Sequence, residues 1–352
     1  MSSIASNREL QALVAALPAV PEDGSIRAAM LEALLSRLET ESPATAQVCA
    51  TVLASHGDKI AHEVAETLQL RLKPFEGLQP RAAPLDEVDL IVVAVKPPEL
   101  DACLAVFGVP PDERPRVLGV SGMCGWFAEL SSTRILITMA GSAGNVQAAM
   151  VMAALRREVR APVAVLVGMA AGLEGKVEIG DVVVAEHVLE YEFARLTEDG
   201  PEYQPRISDV EERLLRSVEI VDRLDPDWTG EARNVVQHAS RREEHAPAES
   251  DLAGWSPRVH RGVIVAGAKL IEDGSLPKLQ HDLHDRIRAA EMEGAGFAVA
   301  CDEAGVAWMV IRGIADFGNP NRVKGWQFAA TVAAALVLRT LITAGLVTPR
   351  QP

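Results

Sequence analysis

The stretch Ala164-Val-Leu-Val167-Gly168-Met-Ala-Ala-Gly172 joins a short apolar run to a run of small residues. Four consecutive apolar residues predict a strand that is buried in a sheet. The small residues that follow allow a ligand to approach the backbone N–H groups closely. Because open α/β sheets bind ligands at the carboxyl ends of their strands, this stretch predicts a binding site at the end of one strand.

Further apolar runs of the same kind occur on both sides of this stretch. They are Leu90–Ala94, Arg134–Met139, Val182–Ala185, Val263–Ala266 and Trp308–Ile311. Helical patterns alternate with several of them, at Val146–Arg157, Met292–Ala304 and Trp326–Ala344. Such alternation predicts an α/β fold, a three-layer α/β/α domain with a mixed, largely parallel central sheet.

The beginning of the chain has a different pattern. Residues 1–72 are predicted to form a small all-helical module, in which Ser25 caps an amphipathic helix. Residues 73–87 are rich in proline and glycine and are interpreted as a linker. The remaining stretch, 88–348, is then the catalytic α/β domain, and the helical module is interpreted as an adaptor that docks a partner.

The composition excludes several classes of protein. The chain has 352 residues, of which 48% are hydrophobic and 24% are charged, as in a soluble globular protein. Its 34 Lys and Arg residues against 49 Asp and Glu residues give a net charge of −15. A chain this acidic is a poor general binder of nucleic acid or of anionic membrane, so neither partner is expected.

Cysteines, histidines and the apolar C-terminal stretch give no sign of a metal, a redox cofactor or a membrane span. The cysteines form no CxxC pair, and no apolar signal segment follows Met1, so a reduced, cytoplasmic setting is expected. His281 and His284 lack an acidic or cysteine partner motif. The apolar stretch from Phe328 to Val347 contains Arg339, which costs about 2.5–3.5 kcal/mol at a bilayer centre, so a helix packed on the core is predicted.

Three acidic residues are predicted at the ligand end of the sheet. Glu99 follows the strand that ends at Ala94, Glu293 lies where a helix opens, and Asp316 ends the strand after that helix. Singly, Glu99 is also explained as a solvated glutamate at a helix start, and Glu293 and Asp316 as structural capping carboxylates. Together they suit glycosidic bond cleavage, in which one carboxylate activates water, one holds sugar hydroxyls and one protonates the leaving group.

The loop Gly141-Ser-Ala-Gly144-Asn145 precedes a predicted helix, where backbone N–H groups favour an anion or a sugar. It lacks the Lys-Ser/Thr of a phosphate loop and the full Gly-x-Gly-x-x-Gly spacing, so a tight turn remains the alternative. An NAD-dependent oxidoreductase would place an acidic ribose ligand about 20 residues beyond such a turn. Glu158 is nearer than that and is predicted to face solvent.

Four motifs together carry a resemblance to a known family. They are Val167-Gly-Met-Ala-Ala-Gly-Leu173, Ile179-Gly-Asp-Val-Val-Val184, Glu291-Met-Glu-Gly-Ala295 and Ile311-Arg-Gly-Ile-Ala-Asp316. In this order and spacing, the chain from Val88 to Leu346 resembles the nucleoside phosphorylase and nucleosidase superfamily. Within it, the chain looks most similar to methylthioadenosine/S-adenosylhomocysteine nucleosidases.

The resemblance implies a role for each candidate residue. Glu99 would activate the attacking water, and Asp316 would be the general acid at purine N7, where an aspartate suits adenine. Met292 and Glu293 would bind the ribose, with Glu293 on the 2′- and 3′-hydroxyls. The remaining substrate-binding candidates are Glu291, Gly141, Gly168, Met169, Ala170, Leu270 and Ile271, the last two in the base pocket. No cofactor is implied.

The chain departs from the family pattern in several places. Ala315 stands where a serine often precedes the general acid, Met169 replaces a small polar residue, and Leu270 replaces an aromatic residue. The Gly-Asp-Pro-x-Arg phosphate loop of the phosphorylases is missing, and Val95-Lys-Pro-Pro98 stands in its place. Water is therefore the expected nucleophile.

Two further segments, Val188–Arg195 and Lys324–Ala330, resemble a subset in which this domain is fused to signalling or adaptor modules, some of them immune-type. The predicted function is an N-ribosyl hydrolase that releases adenine from a nucleoside or nucleotide, as the effector of a signalling or defence system. With a nucleotide such as ATP, Lys96 or Lys269 would meet a phosphate; otherwise both are solvated. The alternatives are a purine nucleoside phosphorylase and a non-catalytic sensor. Family members are dimers or larger, so a homo-oligomer is expected.

Overall fold

The computed structural model describes residues 86–118, 122–198, 200–239, 247–320 and 324–347. The predicted helical module at 1–72 and nearly all of the predicted linker lie outside the described residues and stay predictions. Asp86 and Glu87, at the end of the predicted linker, form a short strand that pairs in parallel with Val159 and Arg160.

The described chain alternates strands and helices. The strands are β1 (Asp86–Glu87), β2 (Leu90–Ala94), β3 (Arg116–Leu118), β4 (Met123–Leu130), β5 (Thr133–Met139), β6 (Val159–Arg160), β7 (Val163–Gly172), β8 (Val182–Glu190), β9 (Ala194–Thr197), β10 (Gly200–Tyr203), β11 (Arg206–Asp209), β12 (Val259–Ala266), β13 (Ile287–Glu291) and β14 (Ala307–Asp316). The α-helices are α1 (Pro97–Val106), α2 (Asn145–Glu158), α3 (Glu212–Leu215), α4 (Val221–Leu224), α5 (Trp228–Ala239), α6 (Glu249–Gly254), α7 (Leu276–Leu283), α8 (Gly294–Ala304) and α9 (Gln327–Thr343).

Ten strands form one mixed sheet in the order β11-β8-β12-β13-β7-β2-β5-β4-β3, with β14 pairing with both β7 and β8. The pairs β2–β5, β2–β7, β7–β14, β8–β12 and β12–β13 are parallel. The pairs β4–β5, β7–β13, β8–β14 and β8–β11 are antiparallel. An α/β fold with a mixed sheet is therefore confirmed. The hairpin of β3 and β4, the strands β9 to β11, the strand β13 and the short strands β1 and β6 were missed from the sequence.

Strands β2 and β14 are buried along their whole length, and β7 along most of it, because their sequences are nearly continuous apolar runs. Every residue of β14 is buried, including the charged residue Arg312. Gly313 beside it faces α9, since a Cβ atom there would lie 1.8 Å from the carbonyl oxygen of Ala330. Successive residues of a strand point to opposite faces, so Arg312 points away from α9. It contacts Glu293, which immediately precedes α8, and helices therefore cover both faces of the sheet.

Helix α9 is the apolar stretch at the C-terminal end. Its residue Arg339 pairs with Glu231 of α5, with Nη1 2.6 Å from Oε1, so the charge is compensated within the protein. Among the described helices, none is long and apolar enough to cross a membrane.

Several predicted boundaries are wrong. The strand expected to end at Val167 continues to Gly172, so the run of small residues lies within β7. The helix expected to begin at Met292 begins at Gly294, because Glu291 still belongs to strand β13, which pairs with β12 and β7.

Candidate active site

A cavity opens at the carboxyl ends of β2, β7, β12, β13 and β14. Most of the predicted site residues line it, namely Glu99, Met169, Ala170, Leu270, Ile271, Glu291, Met292, Glu293 and Asp316. Residues to which the sequence analysis assigned no binding role complete the wall, among them Val95, Ala143, Ala171, Ala290 and Ala315. Gly141 and Gly168 are not among the described residues that line it. The topology thus brings the predicted carboxylates to one cavity.

Glu99 lies in the first turn of α1 and folds back onto the loop that precedes it. Its Oε2 accepts hydrogen bonds from the backbone N–H groups of Val95 at 2.9 Å and Lys96 at 2.8 Å. Its Oε1 accepts one from the N–H of Met169 at 2.8 Å. The residue is only 2% exposed, so it is not a solvated helix-start glutamate. Burial raises the pKa of this carboxyl, although the nearby Arg312 guanidinium and the backbone donors partly oppose the shift.

Arg312 is fully buried and joins three carboxylates. Its Nη2 donates to Glu291 Oε2 and, at 3.0 Å, to Glu293 Oε2, while Nη1 lies 3.8 Å from Glu99 Oε1. Burial works against the charge, but the three carboxylates outweigh it and raise the pKa of Arg312. The buried Nε and Nη1 atoms donate no hydrogen bond to any described residue. The guanidinium therefore holds the carboxylates in place and keeps donor capacity for a further group.

Gly168 and Gly141 serve the structure in a different way from the one expected. A Cβ atom on Gly168 would lie 2.3 Å from Glu99 Oε1 and 2.4 Å from Arg312 Nη1. The charged pair thus fills the space that a side chain at position 168 would occupy. Gly141 has a φ of +80°, and its N–H donates to the carbonyl of Val95 at 3.1 Å, so it shapes the turn between β5 and α2.

Glu291 and Glu293 are held by backbone donors. Glu291 ends β13, and its carboxylate accepts hydrogen bonds from the N–H groups of Glu293 and Gly294. Burial raises its pKa, although Arg312 opposes the shift. Glu293 Oε1 accepts the N–H of Gly144 at 2.9 Å. Glu291 therefore anchors the start of α8, whereas Glu293, beside Met292, keeps lone pairs on both oxygens for a ligand.

Asp316 ends strand β14, where the pairing with β7 shifts register between Ile314 and Asp316. Such an irregularity re-aims a side chain at a strand end. The Asp316 carboxylate is buried at the cavity wall, and its Oδ1 accepts the N–H of Gly318 at 2.9 Å. Asp316, at the end of β14, and Glu99, in the first turn of α1, thus reach the same cavity.

The rim of the cavity carries two lysines. Lys96 follows β2, and Lys269 follows β12. The ammonium of Lys269 lies 3.5 Å from Glu192 Oε1, and the Lys269 side chain is 75% exposed. Leu270, next to it, is 57% exposed, and Ile271 packs beside Gly318.

Arg312 is the functional residue that sequence reasoning missed. It lies within a quoted motif, but no role was assigned to it. A signal was present, because an arginine inside the apolar run of β14 is rarely buried without paired carboxylates. Asn145 was also missed; its Oδ1 accepts the N–H of Gly296 at 3.0 Å and ties α2 to α8.

The fold and the site together define a protein of the phosphorylase superfamily. The family model of that description matches residues 89–343, well over half of the chain, and the chain belongs to this family. The resemblance identified from the sequence is confirmed.

Two relatives show where the chain lies within the family. The ATP nucleosidase Cap17 of Escherichia coli strain KTE188 is 30% identical over 259 residues, which cover 70% of this chain and 50% of that protein. A 5′-methylthioadenosine/S-adenosylhomocysteine nucleosidase of Mycobacterium tuberculosis is 26% identical over 225 residues, which cover 61% of this chain and 85% of that protein. The chain thus spans about half the length of the first of these relatives.

Solved structures share the fold. The 5′-methylthioadenosine/S-adenosylhomocysteine nucleosidase of Neisseria meningitidis, in complex with methylthio-immucillin-A, matches with a TM-score of 0.53 at 17% identity. The match covers 74% of this chain and 100% of that chain. At this identity the likeness establishes the fold.

Proposed function

We propose that the protein is an N-ribosyl hydrolase that releases adenine from an adenine nucleoside or nucleotide. The observation that carries the proposal is the position of Glu99 and Asp316 on the wall of one cavity, with Met292 and Glu293 on the same wall. Cleavage of an N-glycosidic bond needs a base for water, an acid for the leaving group and a holder for the sugar. These residues supply all three.

Glu99 is the proposed base for water. Arg312 Nη1 is buried beside Glu99 Oε1 without a hydrogen-bond acceptor among the described residues, and a buried donor of this kind normally meets an ordered water. A water that accepts from Arg312 and donates to Glu99 is fixed and polarised for attack. Its oxygen bonds to C1′ of the ribose, and its proton passes to Glu99.

Asp316 is the proposed acid for the leaving group. The electrons of the breaking C1′–N9 bond move into the purine, and a proton from Asp316 to N7 lets adenine leave as a neutral molecule. Gly318 N–H orients the carboxyl through Oδ1. Glu293 accepts hydrogen bonds from the ribose hydroxyls while Gly144 and Arg312 hold both of its oxygens in place.

Two features favour water over phosphate as the nucleophile. The backbone N–H groups of Val95, Lys96 and Met169 all donate to the Glu99 carboxylate, so donors that suit an anion are already used. Four carboxylates line the cavity, on Glu99, Glu291, Glu293 and Asp316. They outnumber the cations near them, which are the ammonium groups of Lys96 and Lys269 and the guanidinium of Arg312. Like charges repel a phosphate dianion from such a site.

The wider setting is proposed from the sequence and the relatives. The Escherichia coli relative is named as an ATP nucleosidase, and the two rim lysines suit a 5′-phosphate, so a nucleotide is included among the substrates. Residues 1–72 are proposed to be a helical module that docks a protein partner of a signalling or defence system. The catalytic domain is proposed to act as a homo-oligomer.

A substrate panel tests the proposal. Purified protein is incubated with adenosine, methylthioadenosine, S-adenosylhomocysteine, AMP and ATP, and the products are separated by chromatography. Free adenine is expected from at least one of them in phosphate-free buffer. A protein that binds these compounds and releases no adenine from any of them would be a sensor and would contradict the proposal.

A further inference from the structure

Residues 267–274, here called the rim segment, connect β12 to α7 and lie between two cavities. Lys269, Leu270 and Ile271 line the active-site cavity on one side. They also line a second cavity, together with Tyr191 and Tyr203. The rim segment contains no regular secondary structure, so its position depends on contacts with its neighbours.

Both ends of the rim segment are tied to other parts of the site. At the first end, the Tyr191 ring packs on Gly267, where a Cβ atom would lie 2.5 Å from the ring. At the far end, the N–H of Gly274 donates to the carbonyl of Gly318 at 2.9 Å. The N–H of Gly318 in turn donates to Asp316, so Gly318 contacts both the rim segment and the proposed acid.

Glu192 makes the polar contacts at the first end. Its Oε2 accepts the N–H of Ala268 at 2.7 Å, and its Oε1 lies 3.5 Å from the ammonium of Lys269. The two oxygens therefore act differently. One fixes the backbone of the rim segment, and the other holds a positive charge that lies on the wall of the active-site cavity.

We propose, building on the function proposed above, that Glu192 is the positioning residue that sets the selectivity of the site between nucleosides and nucleotides. Through Ala268 it holds Leu270 and Ile271 in place for the base of every substrate. Through Lys269 it restrains and neutralises an ammonium group that a 5′-phosphate would otherwise attract. Through its charge, Glu192 weakens the binding of 5′-phosphorylated substrates and leaves the binding of neutral ones unaffected.

The size of the effect follows from the exposure of the pair. The Lys269 side chain is 75% exposed and that of Glu192 is 29% exposed, so solvent screens their attraction. Exposed ion pairs of this kind change binding by at most about fivefold. Glutamine at position 192 keeps an oxygen that accepts the N–H of Ala268 but carries no charge, which separates the two roles.

The test measures affinity by titration calorimetry in a Glu99→Gln background, so that the ligands, adenosine and ATP, are not consumed. Glu192→Gln is expected to tighten ATP binding about three- to fivefold and to leave adenosine binding within about twofold. Glu192→Ala, which removes both contacts, is expected to weaken the binding of adenosine. Lys269→Met is expected to weaken the binding of ATP. In the Lys269→Met background, Glu192→Gln is expected to have no effect on ATP affinity.

Glu202→Gln is the matched control, because Glu202 pairs with Arg195 and not with Lys269. It is expected to leave the ratio of ATP to adenosine affinity unchanged. The inference is overturned if Glu192→Gln changes both ligands equally, or if its effect on ATP persists in the Lys269→Met background. Binding of neither ligand by the Glu99→Gln parent would instead contradict the proposed function and, with it, the inference.

Discussion

Arg312 lies directly across from Gly168 in the register of two neighbouring parallel strands, β14 and β7. Its guanidinium and the Glu99 carboxylate fill the space that a side chain at position 168 would need. The proposed base is therefore held by a charged pair whose fit depends on the absence of a Cβ atom on the next strand.

Gly168→Ala is expected to displace this pair. Because the new methyl group would lie 2.3 Å from Glu99 Oε1, the carboxylate must move, and misplacement of a catalytic group by about 1 Å costs on the order of 100-fold in rate. The measurement is kcat for adenine release. Gly254→Ala is the control, since a Cβ atom there has open space, and it should keep full activity. Normal kcat for Gly168→Ala would refute this account of the glycine.

Arg312→Met is expected to destabilise the fold strongly. Removal of the cation leaves the buried carboxylates of Glu99, Glu291 and Glu293 without their shared partner, which typically costs about 3–5 kcal/mol. Urea unfolding measures the free energy. Arg160→Met removes an exposed pair with Glu87 and should change stability by less than about 1 kcal/mol. Equal losses of stability in the two variants would show that the buried Arg312 network stabilises the fold no more than an exposed ion pair does.

Glu99→Gln is expected to bind substrate and to lose turnover by about 100-fold or more, because an amide cannot take the proton of water. Substrate affinity by calorimetry and kcat by chromatography are the two measurements. Glu87→Gln, at an exposed pair, serves as the control. Undiminished turnover would remove Glu99 from the mechanism.

Asp316→Asn is expected to abolish adenine release while the fold persists. The amide oxygen still accepts the N–H of Gly318, but the side chain no longer provides a carboxylic proton for N7. A loss of about 100- to 10,000-fold in kcat corresponds to a missing general acid. The control is Asp209→Asn, at an exposed pair with His187. Turnover close to that of the unmodified protein would rule out Asp316 as the acid.

The pH dependence of the rate follows from the burial of Glu99. Burial raises its pKa above the ordinary glutamate value of 4.5, and the proposed base must be ionised to accept a proton. We therefore expect kcat/KM to fall on acidification with a midpoint above 4.5. Because its pKa is raised, ionised Glu99 destabilises the folded state at neutral pH. This destabilisation decreases as the pH falls and Glu99 becomes protonated. If the midpoint of this fall in kcat/KM lies at or below the ordinary glutamate pKa, the role of Glu99 as base is contradicted.

Most of the central strands could be predicted because each contains an uninterrupted apolar run. The runs at Leu90–Ala94 and Ala164–Val167 are fully buried, and both lie in the middle of the sheet. Strand β13 has no such run and was missed. Glu99, Glu293 and Asp316 were predictable because strand ends meet at one edge of such a sheet. The resemblance to the family supplied their individual roles.

What the sequence could not supply is the pairing between distant residues. Arg312 and Glu291 are far apart along the chain, and only the packing of β13, β14 and α8 brings them together. The role of Gly168 depends on that same packing, since a small residue at a strand end also fits a ligand contact. The contact of Glu192 with Ala268 likewise joins two loops across 76 positions of the chain.

The central claim is that water, activated at Glu99, cleaves the bond between adenine and ribose. The most direct test is the rate of adenine release from the best substrate, with and without inorganic phosphate, together with identification of the sugar product. The account predicts equal rates and a sugar product with a free C1′ hydroxyl. Adenine release that requires phosphate and yields a ribose 1-phosphate product would contradict it.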